Sequence, residues 1–121
     1  DVRAADVTGD NQAELLLRVR QALSGASDVS RELLVVLSAD AQGKFSRIAL
    51  IEVARRQGEL AIENLYSVKA SVLTIAPGAA RGWTAQSYPF TDEATAGAQK
   101  LLLPWKDKSL RYHYEGGVLK P

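Results

Sequence analysis

Turn-forming residues interrupt this chain at short, fairly regular intervals, and that punctuation constrains the fold more than any other feature. Residues 40–43 (Asp-Ala-Gln-Gly), the pair Gln57 and Gly58, the pair Pro77 and Gly78, and the pair Gly116 and Gly117 each mark a reversal. The stretches between them suit strands. Residues 15–20 put Leu15, Leu17 and Val19 on one face and Leu16, Arg18 and Arg20 on the other. Residues 33–37 are continuously apolar, as expected of a strand buried on both faces. Residues 45–55 and 59–69 are the arms of a hairpin about Gln57 and Gly58, where glycine accepts a positive φ. In the second arm Leu60, Ile62, Tyr66 and Val68 alternate with Ala61, Glu63, Ser67 and Lys69. Residues 72–75, 101–105 and 110–114 read as further strands, with Val118 and Leu119 after the last turn. Residues 21–29 and 82–97 read as loops, the second with a short helical turn near 92–96. The expectation is a mainly β fold of antiparallel strands and hairpins, built like a propeller blade or a small sheet.

One segment admits a second reading. Residues 11–23 also fit an amphipathic helix, with Asn11 as N-cap, Glu14 three residues on, apolar Leu15, Leu16, Val19 and Leu23, and Gly25 as stop. That reading makes the fold α+β. The residues in front of the segment favour the strand.

Those residues are Asp6, Val7, Thr8, Gly9, Asp10, Asn11, Gln12, Ala13 and Glu14. Side-chain oxygens fall at relative positions 1, 3, 5 and 9, and Gln12 at position 7 can offer its backbone carbonyl. A tight loop uses this spacing to wrap hard oxygen ligands around Ca²⁺, with alternate residues converging on one centre. Asp6, Thr8, Asp10, Gln12 and Glu14 are therefore the candidate ligands. The same residue types also build an ordinary Asx turn with no ion. Position 6 of such loops favours glycine; here it is Asn11, which tolerates left-handed backbone better than other non-glycine residues.

Followed directly by Leu15, Leu16 and Leu17, this loop resembles the FG-GAP/VCBS repeat of integrin α-chain propellers and exported bacterial proteins. Residues 34–45, with an apolar strand, a glycine turn and Phe45, resemble that repeat's second strand, so the likeness covers about residues 4–50 in a single copy. The chain departs from the pattern at Asn11, where the repeat has Gly, and at Glu14, where it has Asp. The resemblance implies a strand immediately after the loop and a Ca²⁺ ion held by Asp6, Thr8, Asp10 and Glu14 through side chains and Gln12 through its backbone. A closed propeller needs roughly four blades of four strands. The 121 residues supply about half of that, which suggests either a single small domain or a fragment of a larger β protein, with a C-terminal β part over about 51–121.

Composition narrows the function classes. Fifteen Lys+Arg against fourteen Asp+Glu leave a net charge of +1, with no global field for nucleic acid or a membrane surface. No apolar run reaches the ~18–20 residues that span a bilayer. The chain has no cysteine, so disulfide frameworks and thiol chemistry are excluded. It opens on Asp1 and has no methionine, which leads us to expect a processed or excised chain, its signal peptide removed, acting in the periplasm or outside the cell.

No nucleophile elbow, phosphate-binding loop or zinc ligand set occurs, and His113, the single histidine, reads as a surface strand residue. Arg55 and Arg56 read as solvated at a hairpin end. Trp83, Trp105, Lys106, Lys108, Arg111, Tyr112 and Tyr114 could form a basic, aromatic surface for another protein or a carbohydrate. Alternatively the aromatics pack in the core while the lysines guard a strand edge. The expected function is non-enzymatic macromolecular recognition. The other readings are an accessory domain cleaved from or attached to a larger exported enzyme, and a small inhibitor or immunity-type protein acting through residues 82–97.

Overall fold

The computed structural model describes residues 1–22, 28–90 and 97–121, and the described residues contain strands and turns with no helix. The strands are β1 (Val2–Ala5), β2 (Glu14–Ala22), β3 (Val29–Ala39), β4 (Phe45–Gln57), β5 (Leu60–Glu63), β6 (Leu65–Lys69), β7 (Val72–Ala76), β8 (Ala80–Arg81), β9 (Leu110–Glu115) and β10 (Val118–Lys120). Six form one antiparallel sheet in the order β1-β2-β3-β4-β5-β8, and four form a second in the order β10-β9-β7-β6. The mainly β expectation holds. The helix over 11–23 does not: Leu15 through Ala22 pair residue by residue with β3, and a ladder on one side plus β1 on the other outweighs helix propensity.

Two hairpin turns are built as read. At residues 40–43 the Asp40 carboxylate accepts from the N–H groups of Gln42 and Lys44, while Gly43 N–H donates to the Asp40 carbonyl. At the next reversal Gly58 has φ 59°, and Gln57 pairs with Leu60 across a two-residue turn. Residues 21, 22 and 29, read as loop, are instead strand ends, with Gln21 paired to Arg31 and Val29 to Gln57. The helical turn near 92–96 lies outside the described residues.

The arm read as one strand over 59–69 is two. β5 stays in the first sheet and β6 starts the second, with Asn64 as the corner between them. Asn64 is buried: its N–H donates to the Val53 carbonyl (2.7 Å), its Nδ2 to the Leu102 carbonyl (2.8 Å), and its Oδ1 accepts from Leu102 N–H (2.9 Å). This side chain takes the place of a neighbouring strand, and for that reason residues 101–105 are not the strand the sequence suggests. From Leu103 the chain closes a turn in which Leu103 N–H donates to the Asp107 carboxylate and Asp107 N–H to the Leu103 carbonyl.

The main core lies between the sheets. Leu16, Leu34, Val36, Ile48, Ile51 and Val53 from the first meet Leu73, Ile75, Tyr112 and Leu119 from the second. β4 reaches it through two bulges: Ile48 and Val53 each lack a register partner on β3, and both are buried. An extra residue at each bulge bends the strand and brings inward side chains that strict alternation would separate. On β2 the inward face carries Leu16, followed by Arg18 and Arg20. The more apolar face, Leu15, Leu17 and Val19, is left half-exposed or exposed. The run 33–37 is likewise fully buried only in part, since Val35 and Leu37 stay half-buried on that outer face.

Candidate metal centre

The loop of interest joins β1 to β2. Ala5 pairs with Glu14, so residues 6–13 connect the two ends of an antiparallel pair and return the chain to where it left. Val7 anchors the loop, fully buried in the main core. Gly9 and Asn11 take positive φ, 87° and 64°, and Asn11 thus adopts the left-handed geometry that the loop asks of its sixth position.

Asp6 organises the turn. Its Oδ1 accepts from the N–H groups of Thr8 (3.1 Å) and Gly9 (2.9 Å); its Oδ2 accepts from Asn11 N–H (3.0 Å) and from the Ser71 hydroxyl (3.3 Å) at the β6–β7 turn. These donors, the Gly9 N–H foremost, hold its carboxyl below the ordinary carboxylate pKa against a smaller desolvation cost. Asp10 accepts from Gln12 N–H at 2.9 Å and is exposed. Glu14 is 2% exposed, and its Oε1 accepts from Val7 N–H at 2.9 Å. Burial raises its pKa, the negative charges of Asp10 and Asp6 raise it further, and the N–H groups of Val7 and Thr8 oppose them.

One carboxylate oxygen each from Asp6, Asp10 and Glu14 lie within 4.8 Å of one another. Of the five candidate ligands, three are therefore gathered by the fold. Thr8 adds the observation that bears on an ion: its Oγ1 is a buried side-chain polar atom with no hydrogen-bond partner. An orphaned hydroxyl of that kind costs free energy unless something occupies its lone pairs. Gln12 is exposed, with its N–H engaged by Asp10. A donor set of carboxylates and a hydroxyl is hard and oxygen-only, which suits Ca²⁺ or Mg²⁺ and not a thiophilic metal. Asp6 already accepts four hydrogen bonds, so free acceptor capacity is greatest on Asp10 and Glu14.

The aromatic and basic residues of the C-terminal third are dispersed. Trp83 is buried in a second cluster, edge-on to Tyr88 (5.3 Å between ring centroids) and Phe90 (5.7 Å), and Trp105 joins through Tyr88 at 5.5 Å. Tyr112 sits in the main core instead, its phenol pushed up to about 12 by burial. Tyr114, Lys106, Lys108, Arg111 and His113 are exposed. The seven residues considered for a partner surface thus divide between two clusters and the exterior.

Two charge networks escaped the sequence reading, and both correct the view that Arg55 and Arg56 are merely solvated. Arg55 is buried and grips Glu52 through two hydrogen bonds (2.7 and 2.8 Å), with Arg31 3.8 Å from the same carboxylate and Phe90 stacked under its guanidinium at 4.9 Å. On the other face Glu32 receives Arg18 (2.8 Å) and Arg56 (2.9 Å), and Arg56 also pairs with Glu63. The available signal was the cross-strand pairing itself, since Arg18, Glu32, Arg56 and Glu63 sit on four neighbouring strands.

Compared with protein-family models, curated proteins and solved structures, the chain matches none.

Proposed function

We propose that this chain is an exported, non-enzymatic β domain that recognises another macromolecule and is stabilised by Ca²⁺ at residues 6–14, in the manner of an FG-GAP/VCBS repeat. The observation that carries the ion reading is the buried Glu14 carboxylate drawn to within 4.8 Å of Asp6 and Asp10, together with the unpartnered Thr8 hydroxyl in the same loop. Neutralising that negative charge is the chemistry a cation supplies there. The chain's own residues do the rest: Asp6 shapes the loop, Asp10 and Glu14 provide the acceptors, and Val7 ties the loop to the core. Support for the repeat resemblance comes from the strand that begins at Glu14 and from the positive φ of Asn11.

Recognition in preference to chemistry is supported by where the buried polar groups point. Glu52 is held by Arg55 and Arg31, Glu32 by Arg18 and Arg56, and Asn64 by Leu102, each spent on structure. Thermal unfolding in Ca²⁺ and in EDTA, on wild type and Asp10→Ala, tests the ion site. Ca²⁺ at a hundred times its dissociation constant adds about 2.7 kcal/mol, and wild type should gain roughly ten degrees that the variant does not. Equal melting in both media would leave residues 6–14 as an Asx turn organised by Asp6.

A further inference from the structure

We propose that the edge of β4 over residues 45–49, which no described strand covers, is a docking site for an extended acidic peptide that joins the first sheet as an added strand. The proposal deepens the recognition reading above and rests on it, but it does not involve the metal loop. β4 is thirteen residues long and is covered along its whole length by β3 on one side. On the other side β5 covers only Ala54 to Gln57, and Asn64 N–H caps the Val53 carbonyl. Ahead of these, Gln99 lies parallel to Ile51, donating its N–H to the Leu50 carbonyl (2.8 Å) and accepting from Glu52 N–H (2.9 Å). This edge therefore already accepts a short extended segment at Leu50–Glu52. Among the described residues, positions 45–49 have no strand partner on the same side. Unpaired backbone in an edge is a template for a further strand.

A groove of about 360 Å³ runs beside this stretch, between β4 and β10, with Arg47, Leu50, Gln99, Val118 and Lys120 in its walls. That volume falls in the range of ligand sites. Among the described residues that line it, Arg47 and Lys120 are the charged ones; both are exposed, and no acidic side chain is among them. Charge complementarity thus selects a negative occupant. Phe45 (52% exposed) and Val118 (39% exposed) offer apolar contact for alternate side chains of that occupant. A strand of alternating Glu and Val matches these features: backbone for the edge, carboxylates for Arg47 and Lys120, aliphatic groups for Phe45 and Val118.

The test is an amide-resolved NMR titration with a blocked Glu/Val peptide of about six residues, the usual length of a strand. Two control peptides accompany it, one with Lys for Glu and one N-methylated at alternate amides. Saturable shifts confined to residues 45–50, 97–99 and 118–121 are expected. The double variant R47E/K120E should bind about tenfold or more weakly, and neither control peptide should bind. Absence of binding, shifts elsewhere, equal binding of the Lys peptide, or indifference to N-methylation would each overturn the proposal. So would a concentration-dependent dimer of the peptide-free chain through 45–49, which would assign the edge to a second copy. Running the titration in Ca²⁺ and in EDTA separates the two claims. Peptide binding with no effect of Ca²⁺ on melting sinks the ion site alone; the converse result sinks the docking edge alone.

Discussion

Glu32 shows how much a single position can carry. Burial alone would raise its pKa, but the hydrogen bond from Arg56 and the charge of Arg18 outweigh that cost, and its carboxyl ends below the ordinary value of 4.5. A depressed native pKa contributes stability that is present above the unfolded value and lost as pH falls through the native one. Urea unfolding of wild type and Glu32→Gln from pH 7 down to 3 should therefore show a less stable variant at neutral pH and a gap that closes below about 4.5. Equal pH dependence in the two proteins would show that the network is electrostatically idle. At the loop, residue identity was informative: the placing of Asp6, Asp10 and Glu14 at relative positions 1, 5 and 9 brings their oxygens together because the turn doubles back on itself. The Thr8 hydroxyl was legible as a candidate, but its burial without a partner depends on what packs around it.

Elements were legible where the pattern is local. The turns at residues 40–43 and at Gly58 follow from a side chain capping its own backbone and from a residue that accepts positive φ. Elements were lost where the deciding partner is remote in sequence. Leu102 lies 38 residues from Asn64, and nothing local marks that amide as the partner of the Leu102 backbone. Asn64→Ala leaves the N–H and C=O of Leu102 unpaired in a buried site, and we expect a loss of roughly 2–4 kcal/mol in denaturant unfolding. Asn64→Asp keeps the acceptor and loses the donor, so it should recover part of that loss near its own pKa. A neutral Asn64→Ala would mean that water replaces the amide and that the corner is held by packing alone. The bulges at Ile48 and Val53 are a second case, because the sequence around them reads as one uninterrupted strand.

For the whole molecule, the two sheets share one core and not two. Leu73, from the second sheet, is fully buried among Leu16, Leu34 and Ile51 of the first, so neither sheet keeps its apolar face covered without the other. Unfolding should be cooperative, and Leu73→Ala should cost about 2–5 kcal/mol, as large-to-small core substitutions do. Both tryptophans belong to the second cluster, so tryptophan fluorescence reports on it while far-UV circular dichroism reports on the strands of both sheets. Coincident transitions are expected for wild type and variant. An earlier fluorescence transition would make the Trp83, Tyr88, Phe90 and Trp105 cluster a separate unfolding unit.

The sequence by itself determined the β class, the principal turns and the convergence of three acidic residues, all of which follow from interactions within about a dozen residues of chain. Tertiary structure decided which faces are inside. On β2 the face bearing Leu16, Arg18 and Arg20 turns to the core, although Leu15, Leu17 and Val19 are the more apolar set. The choice is made by Glu32 and Glu63 on neighbouring strands, which satisfy Arg18 there. Tertiary structure likewise split residues 59–69 between two sheets and, among the described residues, left the β4 edge over 45–49 without a strand partner. Alternation fixes that two faces differ; only the partners that each face meets fix which of them is buried.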